Sequence, residues 1–194
     1  MKLIAISGGI GSGKSVIAGI VQVMGYPVYD CDSRAKALMT VDDELRRQLI
    51  AAFGQATYLP NGQLNREHLS KVAFTDDEAL ARLNSLVHPA TLNDIHRWTH
   101  QQAKDGASVA FVETAILRTS GLNHVVDSVW HVTAPVNVRV KRVMTRSGLT
   151  AQQVLDRIAA QQAEELIDNN DKIIINDGLS AILPQVIELI KETQ

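Results

Sequence analysis

The chain is poor in cysteine and in aromatic residues. Cys31 is the only cysteine among 194 residues, so no disulfide can form within the chain and a metal site built from four cysteines is excluded. Aromatic residues make up 4% of the chain, whereas hydrophobic residues of all kinds make up 45%. Aliphatic side chains must therefore fill the core, and the length suits one globular domain with small insertions.

The chain also lacks an excess of positive charge and any long apolar run. Its net charge is −2, which disfavours nucleic acid as a partner because nucleic-acid-binding proteins carry a basic surface. The first apolar run, Leu3 to Ile6, stops at Ser7 and two glycines and is too short for a signal peptide. No later stretch approaches the roughly 20 apolar residues of a membrane span. We therefore expect a cytoplasmic protein without membrane contact.

Short apolar runs alternate with helical patterns in both terminal parts of the chain. This alternation predicts an α/β fold, in which a mostly parallel five-stranded sheet is covered by helices on both faces. The predicted strands are Leu3–Ser7, Pro27–Tyr29, Ser108–Glu113, Ser128–Thr133 and Lys172–Ile175. The predicted helices are Lys14–Met24, Val136–Arg146, one from the N-cap Thr150 to about Ile167, and a last helix that reaches the C-terminus.

The middle of the chain has a different, helical character. Amphipathic patterns predict helices over Ser33–Met39, Asp42–Phe53, Arg66–Phe74, Asp76–Val87 and Ala90–Lys104. Asn65 and Thr75 are the predicted N-caps, and Thr57–Leu59 is the only strand-like run. We interpret residues 33–105 as a helical insertion in a single domain, whose core comprises about residues 1–32 and 106–194.

A phosphate-binding motif follows the first predicted strand. The run Gly8-Gly9-Ile10-Gly11-Ser12-Gly13-Lys14-Ser15 fits the pattern G-x-x-x-x-G-K-[ST] and opens a helix, as nucleotide binding requires. The Lys14 ammonium would bridge the β- and γ-phosphates, the Ser15 hydroxyl would bind Mg²⁺, and Val16 can offer only its amide. A ligand-free glycine turn is the alternative, although the chance of such a match is roughly one in a hundred. The predicted ATP-binding residues here are Gly9, Gly11, Ser12, Gly13, Lys14, Ser15 and Val16.

Three carboxylates end predicted strands near this motif. Asp30 and Asp32 are two residues apart after the second strand, at the sheet edge where open α/β folds bind ligands. Phosphoryl transfer to an alcohol needs one carboxylate to accept the hydroxyl proton and others to hold water on the metal. Glu113, which ends the third strand, is the further candidate for the metal. The alternatives are solvated carboxylates, with Asp32 capping the next helix.

Three arginines share one face of a predicted helix. Arg139, Arg142 and Arg146 follow i, i+3, i+7 spacing, and such like charges repel unless an anion lies opposite them. ATP phosphates would supply that anion, and Ser147-Gly148 would then be the hinge of a lid that also carries Arg157. A solvated helix face is the alternative.

Two further features have two interpretations each. His88-Pro89 and the turn at Asn176 are each either a structural break or part of a site.

The chain resembles the dephospho-coenzyme A kinases over nearly its whole length. The resemblance rests on the phosphate loop and on these further runs: Val28–Asp32, Phe53-Gly54, Gly62–Arg66, Leu86–Pro89, Arg157 through Gln161, and Ile174–Gly178. It implies the three-layer P-loop kinase fold of nucleoside-monophosphate kinases and the reaction of ATP with 3′-dephospho-CoA to give ADP and CoA. It also implies Mg²⁺ as cofactor and a lid near residues 146–160. We expect a monomer or a weak homo-oligomer.

The resemblance implies individual roles as well. Asp32 matches the proposed base that acts on the ribose 3′-hydroxyl, Arg146 matches a lid arginine, and Asn176 lies where the final loop of the family passes the adenine. Arg142 is expected to bind ATP. The acceptor-binding candidates are Asp32, Arg66, His88 and Arg157.

Two departures from the family pattern stand out. Ala115–Thr119 replaces the usual Pro-Leu-Leu-Phe-Glu run, which removes a Phe and a Glu and puts acceptor contacts in doubt, and Val16 replaces a common Thr. Another small-molecule or nucleoside kinase is the alternative enzyme. A nucleotide-dependent switch or an inactive nucleotide-binding module is the non-catalytic alternative, although Asn176-Asp177-Gly178 does not supply the guanine-reading motif of a GTPase.

Overall fold

A computed structural model describes residues 1–73 and 77–193. The chain divides into two compact units: Met1–Asp30 with Thr99–Gln194, here called the α/β unit, and Cys31–Trp98, here called the helical unit. Across the part of the chain that the structure describes, no helix is both long and apolar enough to cross a membrane.

The α/β unit contains a five-stranded parallel sheet, which confirms the predicted fold class. Its strands are β1 Lys2–Ser7, β2 Val28–Asp30, β3 Val109–Glu113, β4 Ser128–Thr133 and β5 Lys172–Ile175. The strand order is β2-β3-β1-β4-β5, and every neighbouring pair runs parallel. The carboxyl ends of all the strands therefore lie at one edge of the sheet, with β1 in the centre.

Eight helices are present among the described residues. They are α1 Lys14–Val23, α2 Cys31–Val41, α3 Asp43–Phe53, α4 Arg66–Ala73, α5 Asp77–Lys104, α6 Val136–Ser147, α7 Ala151–Ala160 and α8 Ile182–Thr193. Short 3₁₀ turns occupy Gln55–Thr57, Leu122–His124 and Gln162–Glu165. Two predicted N-caps are confirmed: the Asn65 side chain accepts a hydrogen bond from the amide of His68, and Thr150 forms a capping box with Gln153.

Aliphatic residues and two large aromatics fill the core of the α/β unit. Strand residues such as Ile4, Ile6 and Ile174 pack with Ile17 of α1 and Val186 of α8, and each of these is at most 1% exposed. In β1, every residue from Leu3 to Ser7 is buried, so the side chains on both faces of this strand are removed from water. Both faces of the central strand are therefore covered, as is typical of parallel sheets.

The helical unit has its own smaller core. This core consists of Leu38 of α2, Leu45 and Leu49 of α3, Val87 of α5, and Tyr58, which follows the first 3₁₀ turn. The Asp42 side chain caps α3 by accepting from the amides of residues 44 and 45. A second polar contact joins two of the helices, because the Arg34 side chain donates twice to Asp94.

The predicted break at Pro89 is wrong, because α5 runs unbroken through it for 28 residues. A proline inside a helix lacks one backbone donor, which leaves the carbonyl of Ser85 without its usual partner. Both Pro89 and Ser85 are exposed, so water can take the place of that donor. The amphipathic pattern continues on both sides, with Val87 and Ile95 buried.

Two other element predictions are corrected. The Thr57–Leu59 run is not a strand, since only one bridge pairs Tyr58 with Leu64 around the Gly62 turn. The helix after Thr150 ends at Ala160 rather than at about Ile167, and a 3₁₀ turn over Gln162–Glu165 follows it. The predicted N-cap Thr75 and the helix ends at Phe74 and Asp76 lie outside the described residues.

Replacing Phe111 by alanine should destabilise the α/β unit strongly. Phe111 is fully buried and makes edge-on ring contacts with Tyr26 at 5.7 Å and Trp130 at 4.9 Å. We expect Phe111→Ala to lower the free energy of unfolding by about 3–5 kcal/mol, measured by urea unfolding. The control is Val23→Ala at a 90% exposed position, and a loss of similar size in both variants would contradict the assignment of the core.

Candidate active site

The phosphate loop joins β1 to α1 at the centre of the sheet. Gly8, Gly11 and Gly13 have φ values of 141°, 78° and 101°, which side-chain-bearing residues rarely adopt. A Cβ at Gly8 would lie 2.2 Å from the carbonyl oxygen of Val132, and one at Gly13 would lie 2.1 Å from Nδ2 of Asn176. The glycines of the motif are therefore required both by backbone conformation and by space.

The start of α1 is suited to an anion. Gly13 is its N-cap and, as a glycine, has no side chain that could cap the positive end of the helix. The amide of Val16 donates to the carbonyl of Gly13 at 3.0 Å, and the Val16 side chain is half exposed. The predicted nucleotide-binding residues from Gly9 to Val16 thus lie in one loop and the helix end that follows it.

Lys14 lies over the loop that it belongs to. Its Nζ donates to the carbonyl oxygens of Gly8 at 2.8 Å and Gly9 at 3.3 Å. The ammonium therefore bridges two carbonyl oxygens of the loop whose amides would bind a phosphate.

Ser15 contacts one of the predicted metal-site acids. The Ser15 hydroxyl donates to Oε1 of Glu113 at 2.9 Å, and Asp30 is the partner of Glu113 in the register of β2 and β3. A hydroxyl and two strand-end carboxylates are oxygen donors, the kind that Mg²⁺ prefers. No group of three or more acidic, histidine or cysteine side chains among the described residues could hold a metal alone. The set fits a Mg²⁺ ion that is held partly by phosphate oxygens and water.

The three arginines of α6 have different surroundings. Arg139 is only 5% exposed and binds Glu165 through two hydrogen bonds, so the anion opposite it is a carboxylate of the chain itself. The prediction that Arg139 faces ATP phosphates is therefore corrected. Arg146 is exposed in the last turn of α6, and Arg157 is exposed in α7.

Arg142 and Asn176 form a second contact with the phosphate loop. Asn176 is 5% exposed at the end of β5, and its Nδ2 donates to the carbonyl of Ser12 at 2.8 Å. Arg142 donates to the backbone carbonyl and to Oδ1 of Asn176, each at 3.0 Å. The structure therefore brings together two residues that the sequence proposed separately for ATP.

Side chains that follow α7 also contact the loop. Oε1 of Gln161 accepts from the amide of Ile10 at 2.8 Å, and a Cβ on Gly9 would lie 1.9 Å from Oε1 of Glu165. The sequence pointed to Gln161 both in the polar helix of the predicted lid and in a family motif, and it gave no sign of Glu165. Nothing in the local pattern marks Glu165, because it lies in a polar run where most acids are solvated.

The residues that depart from the family pattern have clear partners. Glu164 is 7% exposed and accepts hydrogen bonds from the amides of Arg118 and Thr119 and from the Thr119 hydroxyl. The Arg118 guanidinium donates to the carbonyl of Leu166 and to Asp168. Arg118 and Thr119 therefore anchor the segment after α7.

The acceptor-side candidates of the helical unit lie on three of its helices. Asp32 is exposed in the first turn of α2, Arg66 is exposed at the first position of α4, and His88 is half-buried in α5. Their roles stay predictions.

His131 is a buried histidine that the sequence did not single out. It lies on β4 beside Ser7 of β1 and is 4% exposed. Burial lowers the pKa of His131 from its usual value, because the protonated ring would lose its hydration, while the carboxylates of Asp171 and Glu165 oppose this shift.

Sequence comparison places the chain among known proteins. The family signature described as "Dephospho-CoA kinase" matches residues 2–181. The chain belongs to the dephospho-CoA kinase family. Relatives named dephospho-CoA kinase include one from Bacteroides fragilis, 35% identical over 96% of this chain and 90% of its own length. Another, from Porphyromonas gingivalis, is 35% identical over 98% of this chain and 94% of its own length.

Solved structures support the same fold for this family member. A crystal structure from Thermus thermophilus is 31% identical, with a TM-score of 0.76 over 98% of this chain and 95% of its own. The dephospho-CoA kinase from Campylobacter jejuni is 22% identical, with a TM-score of 0.72 over 99% of this chain and 97% of its own, and so supports the fold alone.

The lowered pKa of His131 predicts a loss of stability in acid. The unfolded chain takes up a proton as the pH falls below about 6.5, whereas the folded chain resists it, so the free energy of unfolding decreases there. In His131→Gln, the decrease between about pH 7.5 and about pH 5.5 should be smaller, measured by urea unfolding. The control is the exposed His100→Gln, which should keep the full decrease. An unchanged decrease in His131→Gln would contradict this assignment.

Proposed function

We propose that this dephospho-CoA kinase family member transfers the γ-phosphoryl group of ATP to the ribose 3′-hydroxyl of dephospho-CoA, giving ADP and CoA. The family match over residues 2–181 carries this proposal, since it includes both the phosphate loop and the helical unit. The loop geometry, with Lys14 over its carbonyls, supports ATP as the donor. We expect the reaction to take place in the cytoplasm, in a monomer or a weak homo-oligomer.

In this proposal the phosphate loop and α1 hold the triphosphate. Lys14 neutralises charge on the β- and γ-phosphates, and the loop amides orient the transferring group in line with the acceptor oxygen. Ser15 would hold Mg²⁺, with Asp30 or Glu113 acting through water, and the metal would neutralise charge on the phosphates. Arg142 in α6 and Asn176, which follows β5, would contact the nucleotide.

Asp32 is the proposed base. The bond between the 3′-oxygen and Pγ forms as the bond from Pγ to the bridging β-oxygen breaks, and the hydroxyl proton passes to the Asp32 carboxylate. Arg146 would stabilise the charge that develops on the transferring group, as one member of a lid over residues 146–160. Gly148 caps α6 with a positive φ of 66° and would be the hinge. The acceptor would be bound by Arg66, His88 and Arg157.

A coupled assay for ADP tests the reaction directly. ADP formation should depend on dephospho-CoA, and mass spectrometry should detect CoA as the second product. A 3′-deoxy analogue of dephospho-CoA should give neither product, because it lacks the attacking hydroxyl. Turnover of nucleosides or other alcohols without turnover of dephospho-CoA would reject the proposed acceptor.

Removing the proposed base should reduce turnover far more than binding. We expect Asp32→Asn to lower kcat by about 10²- to 10⁴-fold, because the hydroxyl proton loses its acceptor while the side-chain shape is kept. Asp43→Asn is the matched control, since Asp43 is also an exposed acid in the first turn of a helix. Undiminished kcat in Asp32→Asn would remove Asp32 as the base.

Replacing Glu113 by glutamine should weaken the response to magnesium. The Ser15 hydroxyl keeps an acceptor, but a negative charge that would hold the hydrated metal is lost. We expect the Mg²⁺ concentration for half-maximal activity to rise about tenfold. Glu188→Gln, at an exposed position of α8, should leave it unchanged. Equal Mg²⁺ requirements in the wild type and Glu113→Gln would argue against a metal near β3.

A further inference from the structure

The peptide groups of Ile10 are fixed by two side chains from outside the phosphate loop. Nε of Arg139 in α6 donates to the carbonyl oxygen of Ile10 at 2.8 Å. Oε1 of Gln161, just after α7, accepts from the amide of Ile10 at 2.8 Å. Both backbone polar groups of Ile10, its amide and its carbonyl, are therefore held by side chains from outside the loop.

Arg139 is itself fixed by an ion pair. Its two terminal nitrogens donate to the two carboxylate oxygens of Glu165 at 2.8 and 2.6 Å, which is the paired geometry that orients a guanidinium most strictly. The Arg139 side chain is 6% exposed and the Glu165 side chain 25% exposed, so the pair is largely removed from water. Nε of Arg139 thus points at Ile10 in a defined direction.

Gly9 lies directly on this ion pair. A Cβ there would be 1.9 Å from Oε1 of Glu165 and 2.1 Å from Nη2 of Arg139. Any shift of the pair towards the loop would therefore displace the Gly9 backbone. The ion pair therefore restricts the position of the loop backbone at Gly9.

The charges of the pair also suit a phosphate site. A lone carboxylate against the phosphate loop would repel a triphosphate, whereas the guanidinium of Arg139 neutralises Glu165 at contact distance. An acid can lie here without weakening the site only because the arginine lies with it.

We propose that the ion pair of Arg139 and Glu165 is a positioning element for the phosphate loop, which sets the affinity of the enzyme for a nucleoside triphosphate. Neither residue touches the nucleotide in this proposal, because both act through the backbone of Gly9 and Ile10. The inference rests on the ATP-binding part of the proposed function and does not depend on the identity of the acceptor.

The test uses direct binding of ATP·Mg²⁺ by calorimetry, with the thermal unfolding midpoint of the same samples. In Glu165→Gln the paired geometry is lost, and we expect the Kd for ATP to rise about tenfold, which corresponds to about 1.4 kcal/mol. The KM for the acceptor should change little. Glu192→Gln is the matched control, because it breaks an exposed ion pair with Lys172 in the same unit and should leave the Kd unchanged.

A double variant separates positioning from stability. Glu165→Gln leaves Arg139 buried without its countercharge, which lowers stability and could itself weaken binding. Arg139→Met combined with Glu165→Leu removes both charges, so the thermal midpoint should return towards that of the wild type. The Kd for ATP should stay raised, because nothing then holds the Ile10 carbonyl.

Two outcomes would overturn the inference. One is that Glu165→Gln folds and binds ATP with the same Kd as the wild type. The other is a double variant that recovers the Kd together with the thermal midpoint, since the pair would then be only a structural contact. If the chain bound ATP but failed to phosphorylate dephospho-CoA, the proposed acceptor would fail while the binding test stayed informative.

Discussion

The phosphate loop depends on donors for its backbone carbonyls. A loop that points its amides at an anion must turn its carbonyls the other way, and buried carbonyls need partners. Each carbonyl oxygen from Gly8 to Ser12 accepts from a side chain outside the run. Those side chains belong to Lys14, Arg139, Arg142 and Asn176. The cationic side chains thus hold the loop through its carbonyls, and a nucleotide is not needed to explain their number.

The order of the strands in the sheet places the partners of these carbonyls beside the loop. β4 lies beside β1 and β5 beside β4, so the residues that follow these two strands reach the loop from one side. Arg139 and Arg142 belong to α6, which follows β4, and Asn176 follows β5. The other side holds Glu113 at the end of β3, in contact with Ser15. The central strand therefore separates a side whose residues hold the loop from a side that carries the proposed oxygen donors for Mg²⁺.

The sequence was sufficient for features with local causes. The five strands, the phosphate loop and the caps Asn65 and Thr150 depend on nearby residues, and the structure has all of them. Contacts between distant residues were not predictable. The spacing of Arg139 and Arg142 predicted an anion opposite them. Arg139 meets one in a carboxylate 26 residues away, whereas Arg142 meets a carbonyl of the loop. The prediction of a break at Pro89 was wrong because α5 continues through the proline, where the residue that loses its backbone donor, Ser85, is exposed to water.

The residues that depart from the family pattern, Arg118 and Thr119, also take part in hydrogen bonds between side chains and the backbone. Glu164 accepts from both of their amides, and the Arg118 guanidinium binds the chain again at Leu166 and Asp168. The next residue, Glu165, binds Arg139, so adjacent acids anchor one short turn to two different elements. With these groups engaged inside the α/β unit, the proposed acceptor would have to be recognised through other residues. The replacement of Phe and Glu thus changes how the segment after α7 is held, and it leaves Lys14, Ser15 and Asp32, the residues proposed for the chemistry, in place.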